Sequence, residues 1–271
     1  MRRLTWFNVT SLTFGFAFLY LPMVLLVIYS FNESKLVTVW AGFSTRWYGE
    51  LLRNEAFLDA AWVTIQVAFV SSTIATILGT MGAYVIVRAG RFTGRTLFSG
   101  MIYAPLVMPE VITGLSLLLL FIGIGLDRGM FTIILAHTTF SMCYVSVVVS
   151  SRLVTFDRSL EEAALDLGCS PMQAFRLVTL PIIAPAVVAG WLLAFTLSLD
   201  DLVIASFTAG PSATTLPIKI WSSIRLGVSP EINALSTLLI AVVSVGVITA
   251  SIVTKRAALR QEAEERAADR I

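Results

Sequence analysis

Charge is what this sequence of 271 residues has least of: Asp, Glu, Lys and Arg together make up 13% of it. A soluble domain carries about a quarter, so that class is excluded at the outset. Histidine occurs once and cysteine twice. Cys143 and Cys169 fall in different segments without metal-ligand spacing, which argues against a zinc site or a disulfide framework. No catalytic constellation is present, neither a metal set nor a nucleophile elbow, so the chain is not expected to be an enzyme. Nor is there a phosphate-binding loop. Gly90-Arg-Phe-Thr-Gly94-Arg95-Thr96 has three residues between its glycines where four are required, and an arginine where a lysine is required. No cofactor is expected on this chain. The net charge of +2 gives no ground for expecting nucleic acid.

What the sequence has in abundance is apolar length. Apolar residues reach 57% and the mean hydropathy is +0.86. They fall in six blocks, near 11–30, 61–87, 97–124, 130–150, 181–206 and 232–253. Each is long enough for a helix to cross a bilayer, which takes roughly 20 residues. The expectation is an all-α integral membrane protein with six transmembrane helices, forming a single transmembrane domain over 1–271 in contact with membrane lipid. The first block is read as a retained span, because Phe31-Asn32-Glu33 offers no small-residue cleavage site. The basic residues orient it. With the N-terminus inside, the inner segments hold Arg2, Arg3, Arg88, Arg91, Arg95, Arg152, Arg158, Arg176, Lys255, Arg256, Arg260, Arg266 and Arg270. The outer loops hold only Lys35, Arg46, Arg53, Arg128, Lys219 and Arg225. Both termini are therefore expected in the cytoplasm. In the outer loop 31–60, Trp40, Trp47 and Tyr48 suit an interfacial aromatic belt.

The inner loop 151–180 carries local signals for two short helices. Ser159 and Glu162 have capping-box spacing, and Glu161 and Glu162 would sit in a first turn where the helix dipole favours acids. Leu160, Ala163, Ala164 and Leu167 form a helical apolar face, which Gly168 would end in a left-handed conformation. Ser170 and Pro171 would open the second helix, and Pro181 would mark entry into the fifth span. The loop reads either as a hairpin on the membrane surface or as a short helix that fits a groove on a soluble partner. The pattern Glu162-Ala163-Ala164, Gly168, Val178, Leu180, Pro181 resembles the cytoplasmic loop of binding-protein-dependent ABC importer permeases, with Val178 in place of isoleucine. The resemblance implies the type I importer permease fold. It also implies a coupling helix, with Glu161, Glu162, Ala163, Ala164, Leu167, Gly168, Leu180 and Pro181 engaging a separate ATPase that holds the ATP and magnesium.

Acids inside the membrane are functional candidates, because each costs about 2.5–3.5 kcal/mol to insert. They are Glu110 in the third span and Asp200 and Asp201 in the fifth. Counted along their helices from the inner surface, all three stand about 22 Å deep, a depth suited to a transient site for a cation. Adjacent helix positions point about 100° apart, so Asp200 and Asp201 cannot both face a pathway unless the helix breaks, and one is a candidate helix cap. His137 reads either as a cationic partner for them or as a satisfied core residue. Trp191 and Trp40 read either as cation–π contacts or as packing.

Tyr29-Ser-Phe-Asn32, Trp40 to Tyr48, Val107-Met-Pro-Glu110 and Ser198 to Phe207 are similar to the polyamine branch of that family, in its second permease. The resemblance implies import of putrescine or spermidine across a bacterial inner membrane. The implied partners are a homologous second permease, two ATPase subunits and a periplasmic polyamine-binding protein. A permease of the same family for iron(III), a sugar or an anion is the alternative. A secondary transporter fits less well, since it leaves the 159–181 loop unexplained.

Overall fold

A computed structural model of the chain describes residues 5–36, 39–211, 213–226, 229–245 and 248. The helices are α1 (Trp6–Tyr29), α2 (Arg46–Leu51), α3 (Glu55–Arg88), α4 (Arg95–Val107), α5 (Glu110–Gly123) and α6 (Met130–Thr155). They continue with α7 (Ser159–Asp166), α8 (Pro171–Ala174), a π-helical turn over Phe175–Thr179, α9 (Leu180–Asp200), α10 (Val203–Thr208) and α11 (Leu216–Leu226), and then α12 (Pro230–Val245). Among the described residues there is no strand, only two isolated bridges. Among the described residues four helical stretches are long and apolar enough to span a membrane, or five if the bent pair α4–α5 is one span.

The chain divides into two compact units, one of residues 1–55 with 223–271 and one of residues 56–222. In the first, α1 has no buried residue and is apolar on every side, as a lipid-facing helix is. The loop after it is tied by its own polar groups. Buried Asn32 donates to the Val39 carbonyl at 2.7 Å and accepts from the Ala41 amide at 2.9 Å. Trp47 donates its indole N–H to the Asn32 carbonyl at 2.6 Å and is 3% exposed. Trp47 is thus the core of this loop and not part of an interfacial belt, because its one polar atom is satisfied internally. Asn54 donates to Glu231 at the start of α12. The expected sixth span beyond Val245, residue 248 apart, lies outside the described residues, as do Arg2, Arg3 and the tail 255–271.

In the second unit, α3, α6 and α9 surround a core of Ala83, Val145, Val149, Leu153, Ile183 and Ala194. Small residues set the approach, as in other membrane bundles. A Cβ on Gly79 would stand 2.8 Å from the Met142 carbonyl oxygen and from Val145 Cβ. Gly79→Ala is therefore expected to cost about 1–3 kcal/mol. Gly100, also helical, has nothing within 4 Å of a built Cβ, so Gly100→Ala should be neutral or stabilising. Thermal melting of the two purified variants checks this. Equal melting points would show that the α3–α6 contact is looser than described.

Two expected spans are broken. Residues 97–124 do not form one helix: α4 and α5 meet at 116°. Pro109 has no N–H to donate and pushes Met108 out of the α region, and Met108 is extended at ψ 135°. The fifth span ends at Asp200 and resumes as α10. It also begins earlier than expected. The 30-residue stretch Pro171–Asp200 runs continuously, with Pro181 accommodated just after the π turn, a local widening of the helical ladder. The short helix α10 packs against α5 and α6, with Ile204 seated beside Ala136 and Phe140.

Candidate functional site

The loop between α6 and α9 folds by local rules, with one exception. Ser159 does not cap α7. Arg158 is already helical (φ −64°, ψ −24°), so Ser159 lies inside the helix and no Ser159–Glu162 capping box forms. Asp157 takes over by accepting the Ser159 amide at 3.0 Å. That N–H holds its exposed carboxyl below the usual aspartate range. At the other end Gly168 is left-handed at φ +90°. The Gly168 amide donates to the Leu165 carbonyl and the Cys169 amide to that of Ala164, the paired bonds of a Schellman turn. Ser170 then accepts from the Gln173 amide while its own amide donates to the Gln173 side chain.

The result is a rigid knuckle between two spans. Its outer surface exposes Leu160, Ala163 and Leu167, the last 87% exposed. Glu162 and Asp166 flank them. Pro181 is also exposed, and Leu180 packs against the α3–α6–α9 core. Ala164 and Glu161 are buried. Glu161, expected among the partner-facing residues, instead turns inward to Arg88 and Thr179.

The three acids separate into two environments, both at helix breaks. Glu110 is exposed in the first turn of α5. Asp200, the last residue of α9, is also exposed. Asp201 is turned inside, with its side chain 8% exposed. Its carboxylate accepts the Ala205 amide at 2.7 Å and the Ile204 amide at 3.3 Å, groups that open α10 and have no helical partner. The same carboxylate stands 3.0 Å from His137 Nε2. His137 Nδ1 lies 2.6 Å from the Ser198 hydroxyl, which accepts from Ser71 at 3.2 Å. The helix break thus resolves the conflict between adjacent acids. Half-helices that start inside a membrane are typical of transporter binding sites, and here each carries an acid at its positive end.

Trp191 donates to Thr73 at 3.1 Å and stacks on Phe195 at 5.1 Å. Trp40, in the other unit, is half exposed and meets Tyr29 edge-on at 6.1 Å. Among the described residues no three His, Cys, Asp or Glu gather to hold a metal. Sequence reasoning missed Arg88, Thr179, Ser71 and Ser198. For Asp201 the signal was present, an aspartate just before a short apolar helical run. Nothing local marks the other four.

Residues 75–261, more than half of the chain, match the family described as binding-protein-dependent transport system inner membrane component. The putrescine transport system permease protein PotI of Escherichia coli (strain K12) is 60% identical over 244 residues, covering 88% of this chain and 87% of the relative. The spermidine/putrescine transport system permease protein PotC of the same strain is 42% identical over 240 residues, covering 89% and 90%. Two solved structures share the fold at 18% identity. A bacterial ABC transporter that imports the acidic polysaccharide alginate gives a TM-score of 0.69, covering 92% of this chain and 94% of that one. The MetNI methionine ABC transporter gives 0.59, covering 77% and 95%.

Proposed function

Because the chain belongs to the family of binding-protein-dependent transport system inner membrane components, we propose that it is a permease subunit of an ATP-driven importer that carries putrescine or spermidine. It sits in a bacterial inner membrane as six spans with both termini in the cytoplasm. It pairs with a homologous second permease, so that the pathway is shared between two chains. A periplasmic polyamine-binding protein delivers the substrate, and two ATPase subunits supply the energy with their own ATP and magnesium. The observation that carries this reading is the exposed knuckle from α7 to α8. An apolar centre of Leu160, Ala163 and Leu167 beside Glu162 and Asp166 is a poor membrane surface and a good protein-docking surface. Its helix is held rigid by a cap at one end and a Schellman turn at the other.

Substrate chemistry follows from the acids. Glu110 and Asp200 are exposed carboxylates at helix breaks, suited to an alkyl chain with an ammonium at each end. Asp201 serves them by fixing the break. Trp191 contributes as a packed wall beside Thr73 and Phe195, and Trp40 as an aromatic surface in the other unit.

The test is uptake of radiolabelled putrescine and spermidine by a transport-deficient strain expressing the whole system. Uptake of at least one is expected, with Glu110→Gln lowering it about tenfold at equal expression. A tenfold change corresponds to about 1.4 kcal/mol, the order of one screened charge contact. If neither polyamine enters, the permease reading stands on its docking knuckle and the substrate assignment falls.

A further inference from the structure

The buried face of α7 carries an ion pair that the proposed docking role does not use. Glu161 and Arg88 are about nine-tenths buried, with Arg88 Nε 2.9 Å from Glu161 Oε2. The other carboxylate oxygen accepts the Thr179 hydroxyl at 2.6 Å. The guanidinium lies 5.4 Å from the Phe156 ring centroid and donates to the Phe156 carbonyl at 3.4 Å. One turn back along α3, Tyr84 meets Phe175 edge-on at 5.0 Å. The last turn of α3, the end of α6, the inner face of α7 and the π turn before α9 therefore converge on one ion pair.

On the reading of α7 as the helix an ATPase moves, we propose that Arg88, Glu161 and Thr179 are positioning residues. They form a clamp that makes α3 and α9 respond to α7 as one body. Three routes lead inward from α7. Two are covalent, back through residues 156–158 to α6 and on through α8 and the π turn into α9. The third is the ion pair to α3, and without it α3 would lose its direct tie to the displacement. Thr179 joins the second and third, since its backbone lies in the π turn and its hydroxyl binds the clamp carboxylate. Stability alone is a weak reason for such a pair, because a buried ion pair is often matched or bettered by an apolar one. What it adds is directional rigidity at a point where force must pass. The neighbouring Arg158–Glu162 pair, more than 60% exposed on both sides, is screened by water and supplies none.

Two measurements on the complete complex in lipid test the clamp. The first is the ratio of ATP hydrolysis with putrescine-loaded binding protein to hydrolysis without it. Glu161→Gln keeps the shape and a carbonyl for Thr179, and Arg88→Gln removes the cation. Each is expected to lower the ratio at least fivefold while assembly and basal hydrolysis persist, and the swap Arg88→Glu/Glu161→Arg to restore at least half of it. A stabilising role alone would lower yield and melting temperature but leave the ratio of the assembled complex unchanged, and that result overturns the clamp. The second measurement needs no substrate. In a chain with Cys143 and Cys169 changed to alanine, Arg88→Cys/Glu161→Cys should cross-link equally fast without nucleotide, with ATP and after vanadate trapping. Cross-linking lost in any of these states means that the clamp opens, and the proposal fails whether or not the transported solute is a polyamine.

Discussion

Asp201→Ala is expected to destabilise the protein by about 3–5 kcal/mol, since several buried donors lose their acceptor at about 1–3 kcal/mol each, while Asp200→Asn leaves stability within about 0.5 kcal/mol. The two residues are adjacent, similar in chemistry and opposite in consequence. Losing the Asp201 carboxylate strips the Ile204 and Ala205 amides of their acceptor. Both amides belong to fully buried residues, so bulk solvent does not replace it. It also leaves His137, 2% exposed, without the carboxylate 3.0 Å from its Nε2. Asp201→Asn, which retains a carbonyl oxygen for the Ala205 amide, should fall between. Asp200 accepts no comparable set of amides, so its amide variant should fold and reach the membrane normally while polyamine uptake drops about tenfold. Melting temperature and membrane yield, measured beside uptake, separate the two effects. Equal melting points for Asp201→Ala and Asp200→Asn would show that α10 does not depend on its carboxylate cap.

Gly168→Asp is expected to abolish stimulated ATP hydrolysis, a loss of at least tenfold, without preventing insertion. Gly168 sits at φ +90° with nothing near a built Cβ, so sterics within the chain do not forbid a side chain. The left-handed backbone does, at a cost of about 1–2 kcal/mol for an L-residue. Relief of that strain would unwind the Schellman turn and swing α8 relative to α7. The new carboxylate would also enter the apolar centre of the docking surface beside Leu167. Gly90 provides the control. It too is left-handed, at φ +66° with open space around it, but it lies in the turn between α3 and α4. Gly90→Asp bears similar strain and should retain coupling. The comparison is made on purified complexes, with the ATPase co-purifying in both. Equal loss in the two variants would mean that backbone strain, not the knuckle, accounts for the effect.

These contrasts reflect what can be read along a chain. The apolar blocks, the left-handed Gly168 and the Ser170–Pro171 start were legible because each depends on residues within a turn of one another. The Ser159 capping box had the same kind of support and did not form. Asp157, two residues earlier, competes for the same amide, and the helix begins one residue sooner. Pro105 and Pro109 disfavour a continuous helix just before Glu110, but do not specify a bend of 116°. That angle is held by α10 against α5, where a Cβ on Gly114 would stand 2.6 Å from the Phe207 ring.

The apolar blocks, the Schellman turn and second helix start of the knuckle, and the presence of three acids within or at the ends of apolar stretches follow from composition and short-range pattern, since helix length and capping act locally. Which acid is buried and which way Glu161 turns were decided by partners far along the chain. Ser71 meets Ser198 across 127 positions, His137 lies 61 positions before Ser198, and Arg88 closes on Glu161 from another span. A carboxylate taken out of water must find its donors wherever the packed helices bring them, and local sequence does not specify that packing.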